Sequence, residues 1–221
     1  MLAAENLAFN LALAKTLENR GSALAFYQDR GFAPIWAGMD APEKARRSAL
    51  IRALENADTH GLPNFKYGLN RLLALARSAK SQQDLGVLEG QMTLSFLRYA
   101  ADVHTGLVVP GKVDENIFRK VKYLNDGDYL NPLASMDANQ FFTLLPPQTD
   151  NYRNLLAARQ DFLTILKEGG WGPKLVEEKL RPGERGQSVV ALRNRLIEKG
   201  YLKNTLSDRY GKILRSAVQR F

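Results

Sequence analysis

The chain has 221 residues, 45% of them hydrophobic and 24% charged, with a formal net charge of +8. These are the proportions of an ordinary globular protein, long enough for one large or two modest domains. It has no cysteine, which excludes disulfides, thiolate metal sites and a cysteine nucleophile.

No apolar run approaches the ~18 residues of a membrane span. The start, Met1-Leu2-Ala3-Ala4-Glu5-Asn6, lacks a basic region and carries an early acid, so it is not a signal peptide. If the protein is exported, its targeting segment is expected outside this chain. The two histidines, His60 and His104, stand far apart, and nothing in their spacing suggests a metal site or a catalytic triad. No cofactor is expected.

Residues 3–28 are rich in Leu and Ala and read as helix, with Gly21 as a possible break. From Phe26 to Trp36 follows an aromatic-dense segment that Gly31 and Pro34 force into an irregular path. Such a cluster either offers a carbohydrate platform or, more commonly, pins a loop into the core through its apolar area. Asp40 is placed to cap a helix with Pro42 in its first turn. Leu50, Leu54 and Ala57 form that helix's buried face, and His60-Gly61 ends it, with the imidazole expected to meet the last carbonyls.

A shorter helix covers about 66–79. The clearest helix runs from Gln82 to Thr105, where Leu85, Leu88, Met92, Phe96, Tyr99 and Val103 keep a 3.6-residue period and Gly106 stops it. His104 falls in its last turn. Pro110-Gly111 makes a turn, and Val113, Ile117, Val121 and Leu124 mark another short helix. Residues 125–136 read as a polar connection. Asp137 caps a helix through Leu145 that Pro146-Pro147 terminates, and a further helix over 149–168 uses Leu155, Leu156, Phe162, Leu163 and Leu166 before Gly169-Gly170. No sustained period-2 run occurs, so the fold class is all-α.

Trp171-Gly172-Pro173 and Lys174–Lys179 mark a boundary, giving domains 1–172 and 173–221. The charge agrees with two domains. From Leu180 to Phe221, ten basic residues against three acidic ones leave a net charge of +7, so nearly all the excess lies there and faces something anionic. Within this stretch Val189, Leu192 and Leu196 form a helical stripe behind a Pro182-Gly183 turn and Gly186. Gly200 sits where a helix-ending C′ glycine belongs, with Tyr201 and Leu202 able to fold back over the stripe. Tyr210, Leu214, Ala217, Val218 and Phe221 form a second stripe suited to pack on the first.

The set Arg181-Pro182-Gly183, Val189-x-x-Leu192, Leu196, Gly200-Tyr201-Leu202, Asp208-Arg209-Tyr210 and Ala217-Val218-x-x-Phe221 resembles the three-helix peptidoglycan-binding domain. The likeness departs at Arg193, where glutamine is common, and lacks the closing glutamine, so a C-terminally incomplete third helix is expected. The upstream blocks resemble the helical scaffold domain of periplasmic murein L,D-transpeptidases. They are Phe26-Tyr27-x-x-Arg30-Gly31-x-x-Pro34-x-Trp36, Ala57-x-x-His60-Gly61-Leu62, Leu94 with Tyr99, Asp102 and Gly106, Leu145-Pro146 with Tyr152 and Leu155, and Gly169-Gly170-Trp171.

The resemblance implies a periplasmic or cell-wall location. It implies two partners: peptidoglycan, and a catalytic domain of the same polypeptide following Phe221. Enzymes of this kind act through a cysteine acyl-enzyme in a separate β-rich domain. This chain, having no cysteine, is expected to be the non-catalytic portion, with no catalytic residue, cofactor or metal. Free carboxylates of peptidoglycan stem peptides suit guanidinium groups, which makes Arg193, Arg195, Lys199, Tyr201 and Arg215 the candidate ligand-binding residues; the commoner role for any one of them is a solvated helix position. Two rivals remain. One is a basic helical nucleic-acid binder, which the charge permits but no recognised motif supports. The other is the targeting arm of a murein hydrolase, against which the scaffold blocks speak.

Overall fold

The computed structural model describes residues 2–117, 121–175 and 179–221. Every element among them is helical, as the missing period-2 pattern foretold, and the chain divides into compact units Met1–Leu156 and Ala157–Phe221. The predicted boundary at 172/173 lies inside the second unit.

The first unit is organised on α5 (Gln82–Thr105). Ser81 and Asp84 form a reciprocal capping box at its start, and Phe96 at its middle touches the rings of Trp36, Phe141 and Phe142 at 5.5–6.0 Å between centroids. Helix α1 (Leu2–Thr16) lies along α5. The two approach so closely that a Cβ built on Gly86 would sit 2.4 Å from the Phe9 carbonyl oxygen, and one on Gly90 would sit 2.5 Å from Thr16 Cγ2. Glycine is required at both positions by space.

The expected helix over 3–28 is two helices. The chain turns through Leu17–Arg20, and α2 (Gly21–Asp29) begins at the glycine flagged as a break. Gly31, at φ +60, closes α2 by donating to the Gln28 carbonyl while Phe32 donates to that of Tyr27. The aromatic segment that follows is pinned into the core: Ile35 and Trp36 are fully buried.

Helix α3 (Ala41–Glu55) has Asp40 at its N-cap and a proline in its first turn, but the Asp40 side chain makes no capping bond. Two short 3₁₀ turns, η1 (Ala57–His60) and η2 (Asn64–Tyr67), lead into α4 (Leu69–Ser78). Beyond α5 come α6 (Pro110–Val113), α7 (Asp126–Ser135), α8 (Ala138–Leu144) and α9 (Asp150–Lys167). The helix expected through Val113–Leu124 is not formed at 114–117 or 121–124, and 118–120 lie outside the described residues. The stretch 125–136, expected as a connection, is helix α7. Its Asn125–Asp128 capping box overcomes Gly127 and Pro132, and Tyr129, Leu130 and Leu133 bury its inner face. Asp137 caps α8 by accepting from the Gln140 N–H at 3.0 Å, as expected.

Helix α9 carries no buried residue: Leu155, Phe162 and Leu166 are all exposed, against the expectation of an inward stripe. The second unit contains α10 (Gln187–Glu198) and α11 (Lys212–Arg220). Val189, Leu196, Leu202, Tyr210, Leu214 and Ala217 form its core, so the two predicted stripes do face each other. Phe221 leaves the stripe and instead packs edge-on against the Tyr201 ring, centroids 5.2 Å apart. Gly200, at φ +75, closes α10: its N–H reaches the Ile197 carbonyl and that of Tyr201 the Leu196 carbonyl. Part of the predicted boundary segment, 176–178, lies outside the described residues.

Candidate functional site

In the second unit, three backbone hydrogen bonds tie the turn before α10 to the segment before α11. Gly183 N–H donates to the Tyr210 carbonyl at 2.9 Å, Tyr210 N–H to Glu184 at 2.8 Å, and Gly186 N–H to Asp208 at 3.2 Å. Gly183 and Gly186 adopt φ of +102 and +122, which the turn requires and other residues resist. This pairing fixes Arg209 between two adjoining pockets. The first, of about 390 Å³, is lined by Arg193, Leu202, Thr205, Ser207 and Ile213 among others. The second, of about 460 Å³, is lined by Pro182, Gly183, Tyr210 and Arg215. Arg209, Gly211 and Lys212 belong to both.

The linings include Arg193, Arg209, Lys212 and Arg215 and no acidic residue. Helix α11 also starts here, at Gly211, with no side chain capping its first N–H groups, so its positive dipole end adds to the cations. The groove thus favours an anion beside an apolar wall.

The five residues singled out from sequence do not share one surface. Arg193 is 8% exposed, and its guanidinium donates to the Ser207 carbonyl at 2.7 Å and to Asn194 Oδ1. It holds the 205–208 link in place as well as lining the groove. Arg195 donates to the Pro173 carbonyl at 2.5 Å and approaches Glu198 at 3.9 Å. Lys199 is the C-cap of α10, and Tyr201 packs on Phe221. Arg215 is exposed in the second pocket. Arg193 and Arg215 therefore meet the groove, while Arg195, Lys199 and Tyr201 are not among its lining residues. The sequence reading missed Arg209 and Lys212, although Arg209 stands inside the Asp208-Arg209-Tyr210 block.

In the first unit the aromatic segment is held by a polar cage built on α5. Glu89 is fully buried and accepts from Tyr27 Oη and from the backbone N–H groups of Ile35, Trp36 and Ala37. Burial pushes its carboxyl above the usual range, and these donors oppose that shift. Thr93 Oγ1 receives the Trp36 indole N–H at 3.0 Å. The segment's carbonyls are served in turn by Arg46, which donates to Ile35 at 2.8 Å, and by Arg47, which donates to Trp36 and Gly38.

His60, expected to meet helix-end carbonyls, is partnered by a tyrosine, and so is His104, which does lie in the last turn of α5. His60 Nδ1 lies 2.9 Å from Tyr152 Oη, and His104 Nδ1 lies 3.1 Å from Tyr129 Oη. Among the described residues no group of three or more His, Cys, Asp or Glu is placed to hold a metal ion, and no helix is long and apolar enough to cross a membrane.

A family model described as Scaffold domain matches residues 22–158, more than half of the chain. The chain belongs to the Scaffold domain family. No curated protein and no solved structure matches it. The Scaffold domain match takes in α2 through α8, and with them the Glu89 cage. The basic groove of the second unit lies outside the matched residues.

Proposed function

We propose that this chain is the non-catalytic portion of a peptidoglycan L,D-transpeptidase in the periplasm or cell wall. The second unit binds peptidoglycan, and the Scaffold domain positions a catalytic domain of the same polypeptide. What supports this reading is the acid-free groove in which Arg193, Arg209, Lys212 and Arg215 stand beside Leu202 and Ile213. Stem peptides offer carboxylates together with small aliphatic side chains, and the two parts of the groove match those two parts of the ligand. The chain has no cysteine and carries no acyl-transfer step of its own.

The test is co-sedimentation of the chain with purified sacculi at about 0.15 M salt, beside a charge-matched control protein and a gel shift with duplex DNA. Retention above the control, without a DNA shift at that ionic strength, supports the proposal. Equal retention removes it, and a shift with DNA alone replaces it with nucleic-acid binding.

A further inference from the structure

A separate pocket, of about 270 Å³, opens in the Scaffold domain itself, lined by residues of α3, η1, α5 and α8. Its wall includes Arg52, Asn56, Thr59 and His60 from the first pair, Asn139, Phe142 and Thr143 from α8, and Tyr99 from α5. No acidic residue lines it, and Arg52 is its one cation.

The polar groups are already oriented by one another. Arg52 Nη2 donates to Asn139 Oδ1 at 2.7 Å, which leaves the Asn139 amide N–H₂ as a donor. Thr59 and Thr143 spend their hydroxyl protons on the Asn56 and Asn139 carbonyls. His60 is fixed by Tyr152 at 2.9 Å, with the two rings stacked, and burial lowers its pKa, so the imidazole is neutral near pH 7.

The decisive group is Tyr99. The residue is 3% exposed, yet its hydroxyl makes no hydrogen bond to any described residue. It is not a sealed orphan, because the one fully buried side-chain polar atom left without a partner among those residues is Glu43 Oε2. The phenol therefore reaches solvent through the pocket. Burial raises its pKa to about 12, which keeps it a donor. Its proton is spent on no group among the described residues, so it is free to donate to a group that enters the pocket.

We propose that this pocket binds the carboxylate of a small acid or of a peptide C-terminus. Arg52 provides the charge, the Tyr99 hydroxyl and the Asn139 amide donate, and Phe142 with Ala49 and Ala53 contacts the adjoining aliphatic group. One guanidinium against a neutral imidazole suits a monoanion, and the small volume suits a short ligand. The site is independent of the peptidoglycan reading, since it lies in the other unit and uses none of the groove residues.

Proton NMR of the two histidines tests it, with His104 as the internal control. The whole chain is titrated with N-acetylalanine, with N-acetyl-alanyl-alanine, and with the carboxamide of each. The expected result is a saturable shift of the His60 imidazole with one or both acids, no shift of His104, and no saturation with the carboxamides. A response to both acids marks a site for the bare carboxylate; a response to the dipeptide alone marks a peptide C-terminus. Tyr99→Phe removes an unpaired hydroxyl without changing the packed ring, and it weakens binding about fivefold or more; Arg52→Gln weakens it at least about tenfold. Absence of a saturable His60 shift with either acid, equal response to the carboxamides, or unchanged binding by a folded Tyr99→Phe protein overturns the proposal.

Discussion

The Glu89 carboxylate and the Ala37 backbone N–H lie 2.6 Å apart in the core, and this contact is one corner of the cage that sets the path of the aromatic segment. A loop that enters a core brings backbone polar groups with it, and each must find a partner. Glu89 takes the N–H groups of three successive residues, while Arg46 and Arg47 take the carbonyls. Glu89→Gln keeps the shape but turns an amide N–H₂ toward those donors. The expected cost is about 3 kcal/mol of stability, read as a lower urea midpoint. An unchanged midpoint would mean that the cage does not hold the loop.

Gly86→Ala sets helix propensity against space. In an open helix the substitution gains about 1 kcal/mol. Here the new Cβ would fall 2.4 Å from the Phe9 carbonyl oxygen, a backbone atom that moves only if α1 moves. The clash wins: the variant melts at a lower temperature by an amount equivalent to about 2 kcal/mol. Gly111→Ala, whose nearest neighbour would be 3.8 Å away, serves as the control and stays near the parent.

His60 gives the fold a pH dependence with a definite sign. Burial lowers its pKa below the ordinary 6.5, so at pH values just under 6.5 the unfolded chain binds the proton and the folded one resists it. Stability is full above that range and falls as the pH drops through it. Urea midpoints taken at about pH 7.5 and about pH 5 should differ more for the parent than for His60→Asn, which removes the titrating group. Equal pH sensitivity of the two proteins would show that His60 contributes nothing to it.

Much of the fold was legible because α5, α10 and α11 advertise themselves by apolar period and glycine stops. Helix α7 was hidden because Gly127 and Pro132 are breakers by composition, and the capping box that rescues it is spread over Asn125–Asp128. Arg193 could have been read better: it stands four residues after Val189 and three before Leu196, on the stripe itself, and so its burial follows from the period. Arg209 and Lys212 could not. Arg209 precedes α11 and Lys212 opens it, and only the pairing of 183–186 with 208–210 brings them to one groove. The partnership of His60 with Tyr152, across 92 positions, has no local signal either.

We propose that the acid-free groove before α11 holds peptidoglycan. Arg209→Ala combined with Lys212→Ala removes two of its cations, and Arg71→Ala combined with Arg77→Ala removes the same charge from exposed positions of α4. Sacculus co-sedimentation of both double variants at about 0.15 M salt is the direct measurement. The groove variant is expected to lose binding about tenfold or more while the α4 variant keeps it. Equal retention of the two would contradict the account.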